Sequence, residues 1–235
     1  MTQNLTIHFG DAAVTGLAYG ADPAQRMHVT LVLAHGAGAG QHSPFMVRFA
    51  EGLAARGIDV LTFNFPYTEQ KRRVPDRNPV LEACCDAAIR AAAAYDVWEQ
   101  NSVFAGGKSM GGRIASQVAA GEHPPALSGL VLLGYPLHPP GKPQQLRTAH
   151  LPGIRIPMLF VQGTRDPFAT PEELHQAVDG LDVGVTVHLV ERGDHSLKVR
   201  GADVDAAIQD VIAAWIRRHV PTTTASESPE ARSRR

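Results

Sequence analysis

In Gly107-Lys108-Ser109-Met110-Gly111 a hydroxyl stands between two glycines at a spacing with chemical meaning. It is the nucleophile-elbow pattern, in which a strand turns abruptly into a helix and leaves a serine side chain exposed at the bend. The flanking residues supply that setting. Ser102-Val103-Phe104-Ala105 is a short apolar run of strand type, and Met110, Ile114 and Val118 recur at helical spacing. A serine held in so tight a turn is expected to carry backbone strain of about 1–3 kcal/mol, and the glycines remove side chains that would collide there. The hydroxyl then sits at a helix N-terminus, where the dipole and free N–H groups favour negative charge. A plain glycine-rich turn between strand and helix has the same five residues, so the partners of Ser109 decide.

A serine hydroxyl is a poor nucleophile without a base, and the base needs an orienting carboxylate. Such groups belong on loops past the carboxyl ends of later strands. Asp166 follows the strand ending at Gly163, and His195 follows the one ending near Val190. Ser109, Asp166 and His195 also come in the chain order expected for this elbow. Against these roles, Asp166 can merely cap the turn before Pro167, and His195 can be a surface histidine. Asp194 is the weaker orienter, because neighbouring side chains rarely converge on one hydrogen bond. The backbone N–H groups of Met110 and Ala37 are the expected oxyanion donors, with Gly38 as second choice to Ala37. His35, in His35-Gly36-Ala37-Gly38, is read as structural, its ring tied to the loop backbone. His123, His150, His175 and His219 are assigned to surface or tail, and His8, His28 and His188 to packing or solvent. No histidine–carboxylate grouping has metal-ligand spacing, and no cofactor is expected.

These groups need a scaffold of alternating strands and helices. Residues 7–9 and 13–19 read as an antiparallel hairpin at one edge. Continuous apolar runs at 28–34, 58–65, 127–133 and 158–161 read as strands buried on both faces, and 185–190 as the last strand. Helices are expected after the Ser43-Pro44 cap signal, over the alanine-rich stretch 79–98, after the elbow, after the Thr170-Pro171-Glu172-Glu173 capping box, and from about 203 to 219. The stretch 68–78 reads as a polar loop. The fold class is therefore α/β, a mostly parallel sheet with helices on both faces.

Length and composition fit one domain over residues 1–220, with a disordered tail over 221–235 that holds no aliphatic residue larger than alanine. The 235-residue chain is 44% hydrophobic with a formal net charge of −1, which gives no electrostatic case for nucleic acid or an anionic membrane as partner. The N-terminus lacks signal-peptide features, and no apolar run approaches the roughly 20 residues of a membrane span. The only cysteines, Cys84 and Cys85, are adjacent in a helical stretch and are read as packing or meeting solvent rather than bridged. A cytoplasmic location is expected.

From about Leu31 to Trp215 the chain resembles the α/β-hydrolase fold. Gly107-Lys108-Ser109-Met110-Gly111-Gly112-Arg113, Gly134-Tyr135-Pro136-Leu137-His138-Pro139-Pro140 and Gly193-Asp194-His195-Ser196-Leu197 resemble a small, lid-poor group of dienelactone-hydrolase-like proteins. Animal relatives of that group include a testis-expressed protein and a chromatin-complex subunit. The resemblance implies Ser109 as nucleophile, Asp166 as orienter and His195 as base, hence a serine hydrolase acting on a small-molecule ester or thioester. Serine argues against the narrower dienelactone reaction, which usually employs cysteine. The group also implies an alternative, a catalytically idle hydrolase fold serving as an interaction module.

The interval from Tyr135 to Arg155 is too short for a helical lid, so an open, shallow pocket is expected, walled by Tyr67, Tyr135, His138 and Phe168. These aromatics can equally cover strand ends. Lys71-Arg72-Arg73 can steer an anionic substrate, although the interspersed Glu69 and Asp76 favour solvated surface charge.

Overall fold

The computed structural model describes residues 2–139 and 141–221. Its centre is an eight-stranded sheet of β1 (Thr2–Phe9), β2 (Ala12–Tyr19), β3 (Val29–Ala34), β4 (Asp59–Phe63), β5 (Ser102–Lys108), β6 (Gly129–Leu133), β7 (Met158–Gly163) and β8 (Val185–Val190). The spatial order is β1-β2-β4-β3-β5-β6-β7-β8. β1 pairs antiparallel with β2, and β2 with β4. All other pairings are parallel. Every residue of β3, β4, β6 and β7 is buried, as continuous apolar runs require when helices cover both faces.

Alternation along each strand divides the core into two layers. Leu31 and Leu33 face α1 (Pro44–Ala54) and α6 (Asp205–His219), packing with Phe49, Leu53, Ile212 and Trp215. Val32 and Ala34 face the opposite layer, built on α3 (Asn78–Ala93) and α4 (Met110–Ala119) through Cys84, Ile89, Ile114 and Val118. A single helical turn, α2 (Pro66–Glu69), and the short α5 (Pro171–Val178) complete the set. Both cysteines are buried and free, and burial pushes the Cys84 thiol up to about 12.

Local chemistry explains where elements differ from expectation. Ser43 precedes α1 but its side chain makes no capping bond, so Pro44 at the first helical position sets the start. Thr170 does form the reciprocal capping box, accepting from Glu173 N at 3.2 Å while Glu173 Oε2 accepts from Thr170 N at 2.8 Å. The alanine-rich helix stops at Ala93, and a 3₁₀ turn over Asp96–Trp98 folds the chain back to bury Trp98 against Tyr95. The stretch read as a polar loop opens with α2. Residues 222–235, where the disordered tail is expected, lie outside the described residues, as does Pro140. No helix among the described residues is long and apolar enough to cross a membrane.

Candidate active site

The bend after β5 is fixed by backbone crowding. A Cβ on Gly107 would lie 2.3 Å from the Ala34 carbonyl oxygen, and one on Gly111 2.4 Å from the same atom. The start of α4 is therefore pressed directly onto the end of β3, and only glycine permits that approach. Between these glycines Ser109 adopts φ 51° and ψ −115°, a region that non-glycine residues avoid. Its N–H is tied to the Leu133 carbonyl at 2.9 Å, so the strained residue is anchored to the end of β6.

Two loops from later strands meet this bend. His195 Nε2 lies 2.9 Å from Ser109 Oγ, and its Nδ1 lies 2.7 Å from Asp166 Oδ2. The Asp166 side chain is fully buried and accepts two further bonds, from Gln162 Nε2 at 2.7 Å and from Phe168 N at 2.8 Å. A carboxylate accepts only, so Nδ1 carries the proton and Nε2 is left as the acceptor facing the serine hydroxyl. Asp194 takes no part in this chain. Its Oδ1 accepts from Ser196 N at 2.8 Å and Lys198 N at 2.9 Å, shaping the loop that presents His195.

Ser109, His195, Ala37 and Met110 line one cavity of about 690 Å³. Among the described residues no acceptor engages the N–H of Ala37 or of Met110. Gly38 lines a neighbouring depression instead. His35 is buried and neutral in character: Nδ1 donates to the Gly36 carbonyl at 2.9 Å, Nε2 accepts from Phe65 N at 3.1 Å, and burial pulls its pKa down. It braces the loop that carries Ala37.

Of the four expected wall residues, only Phe168 faces this cavity, its ring 4.2 Å from that of His195 between centroids. Tyr67 is 1% exposed, packs edge-on against His35, and borders the neighbouring depression. Tyr135 is fully buried, with its hydroxyl 3.3 Å from Ser116 Oγ and bonded to the Arg147 carbonyl. Pro136 stands at the cavity wall in its place. His138 is 4% exposed, its Nδ1 donating to the Pro139 carbonyl at 2.9 Å and its Nε2 3.5 Å from Glu173. These three side chains turn inward because each finds a polar partner or an aromatic neighbour beneath the surface. The basic run Lys71-Arg72-Arg73 also borders the neighbouring depression, with Arg72 paired to Asp76 at 2.5 Å.

Residues that sequence reasoning passed over complete the site. Gln162 bridges Asp166 to Tyr135 N, the latter at 2.8 Å, and its amide amid the apolar run of β7 was the available signal. The Lys108 ammonium donates to the His195 carbonyl, and burial pulls its pKa down to about 8 against the opposing pull of Asp166 and Asp194. Gly134, at φ 57°, leaves room for this contact, since a Cβ there would lie 2.7 Å from Lys108 Nζ. Arg113, one helical turn beyond Ser109, and Arg147 also line the cavity. Among the described residues no group of three or more His, Cys, Asp and Glu is placed to hold a metal ion.

This fold defines a class. The family described as the alpha/beta hydrolase domain matches residues 27–220, and the chain belongs to it. Among solved structures it is similar to a dienelactone hydrolase from Anabaena variabilis, with 20% identity over 94% of this chain and 98% of that one at a TM-score of 0.76. It is also similar to an α/β serine hydrolase without lid from Xanthomonas campestris, at 16% identity over 94% and 96% of the two chains with a TM-score of 0.73. The esterase domain of a Rhodothermus marinus protein matches at 17% identity over 93% and 99%, with a TM-score of 0.67. At these identities the likeness is one of fold. Its lid-poor form agrees with the interval between β6 and β7, where the described residues hold a single 3₁₀ turn, Leu151–Gly153.

Proposed function

We propose that this chain is a serine hydrolase that cleaves a carboxylic ester or thioester through an acyl-enzyme. The observation that carries the reading is the unbroken hydrogen-bond chain from Ser109 Oγ through the His195 ring to the buried Asp166. In the first half-reaction Ser109 Oγ attacks the substrate carbonyl while Nε2 takes the hydroxyl proton. Asp166 stabilises the imidazolium that forms. The carbonyl oxygen, now negative, is held by the N–H groups of Met110 and Ala37, each such donor contributing about 3–4 kcal/mol in the transition state. Collapse expels the alcohol or thiol, which receives the proton from Nε2. Water then attacks the acyl-enzyme with Nε2 again as base, releasing the acid and restoring Ser109.

Covalent labelling by a fluorophosphonate tests this reading. Wild type is expected to label and to hydrolyse short nitrophenyl esters. Ser109→Ala should abolish labelling and lower kcat by roughly 10⁴–10⁶, and His195→Ala should slow both. Folded wild-type protein that neither labels nor turns over any short ester or thioester would overturn the proposal in favour of an idle interaction module.

A further inference from the structure

The cavity that holds Ser109 carries cations that acyl transfer does not use. Arg48 is paired with Asp205 at 2.8 Å, Lys108 is committed to the His195 carbonyl, and Lys198 is exposed to solvent. Arg113 and Arg147 are different: no carboxylate among the described residues forms an ion pair with either. They also stand near enough to repel. Burial lowers the pKa of Arg113 and the charge of Arg147 lowers it further, against the smaller opposing pulls of Tyr135 and Glu82. Arg113 Nη1 donates to Gln117 at 2.9 Å and Nη2 to Asn78 at 3.3 Å, both neutral amides, while its Nε is buried with no partner among the described residues. His150, whose pKa burial and Arg113 pull down to about 4, adds no compensating negative charge. The one carboxylate on the cavity wall, Asp76, is engaged by Arg72. Two adjacent guanidinium groups with unused donors repel one another until an anion bridges them.

Their position gives this charge a use. Arg113 follows Ser109 by one turn, ~6 Å along the axis of α4, and both side chains line the same cavity. Arg113 and Arg147 also border an adjoining pocket of about 490 Å³, so they stand where the main cavity continues away from the nucleophile. The cavity they share with Ser109 also has apolar walls, including Leu81, Met110 and Pro136. We infer that Arg113 and Arg147 form an anion subsite, so that the ester or thioester cleaved here carries a carboxylate or phosphate separated from its scissile carbonyl by a short apolar segment. This rests on the serine-hydrolase reading for the reaction, but the subsite itself is testable without turnover.

The probes are 4-nitrophenyl butyrate and mono-4-nitrophenyl glutarate, which differ by a terminal carboxylate, with free glutarate and inorganic phosphate as ligands. Wild type is expected to favour the anionic ester in kcat/KM, and Arg147→Gln and Arg113→Gln should each lower that preference ~10–100-fold, chiefly through KM. Arg113→Lys should restore part of it. Glutarate binding to Ser109→Ala, followed by calorimetry, should be lost when Arg147→Gln is added. Tighter binding of phosphate than glutarate would assign the anion as phosphate, and the reverse as carboxylate. Equal turnover of the two esters, unchanged by either arginine variant, would overturn the subsite and leave the hydrolase reading standing. Glutarate or phosphate binding without turnover of any ester would do the opposite. Failure of both ligands to bind, with no anionic preference, would remove the subsite even if the Arg113 variants do not fold.

Discussion

The two halves of the candidate site are held in place by different means. The Ser109 half is set by main chain: glycines at 107 and 111 against the Ala34 carbonyl, and the Ser109 N–H on Leu133. The His195 half has a main-chain contact of its own, since a Cβ on Gly163 would lie 2.3 Å from the Gly193 carbonyl oxygen, but it depends on side chains as well: Gln162 grips Asp166, Asp194 shapes the loop, and Lys108 reaches over to the His195 carbonyl. Backbone crowding is satisfied in one arrangement or not at all, whereas side-chain bonds can be removed singly. The first half should therefore fail as structure, and the side-chain bonds of the second as chemistry.

That contrast can be broken most directly at Gly107. Gly107→Ala is expected to destabilise the protein by roughly 4 kcal/mol or more, since backbone must move to admit the new atom; thermal melting that matches wild type would refute the first half of the comparison. Next in size is Asp166→Asn, which should lower kcat by about 10⁴ with a melting temperature near that of wild type. If it unfolds as Gly107→Ala does, the loop half is structural too. Lys108→Met should reduce kcat/KM by about tenfold through loosened placement of His195. Raising pH through about 8 removes the Lys108 proton, so wild-type activity should fall along an alkaline limb that Lys108→Met lacks.

The smallest expected effect is one of acid stability. His150 Nε2 lies 2.8 Å from Ser116 Oγ and 3.3 Å from the Tyr135 hydroxyl, beneath the loop that carries Arg147. Burial, then Arg113, lowers its folded pKa from 6.5 to about 4. Below 6.5 the unfolded chain takes up a proton that the folded one refuses, so this contribution is complete above pH 6.5 and drains away as pH falls toward 4. Urea midpoints measured across that window should fall more steeply for wild type than for His150→Asn; identical slopes would show that His150 is not held neutral.

The same division explains how much could be read from the chain alone. Strand–helix alternation, the elbow and the order Ser109, Asp166, His195 are local patterns, and the eight strands and the family follow from them. Tyr67, Tyr135 and His138 were misplaced because residue type near a strand end does not say which way a side chain turns. Tyr135 turns inward to Ser116 and the Arg147 carbonyl, partners far away in sequence. Arg113 stands just past the elbow motif, but nothing local reveals that its guanidinium forms no ion pair. Lys108 was hidden similarly: its acceptor is a carbonyl contributed by the loop after β8.

Among the described residues the connection from β6 to β7 holds one 3₁₀ turn and no longer helix, which bears on what would become of the proposed acyl group. With no helix there to fold over the cavity, bulk solvent would reach the proposed serine ester as readily as any second substrate. The proposed acyl-enzyme would then drain to the free acid. Making it a transferase would require adding a roof before altering any group that touches the proton.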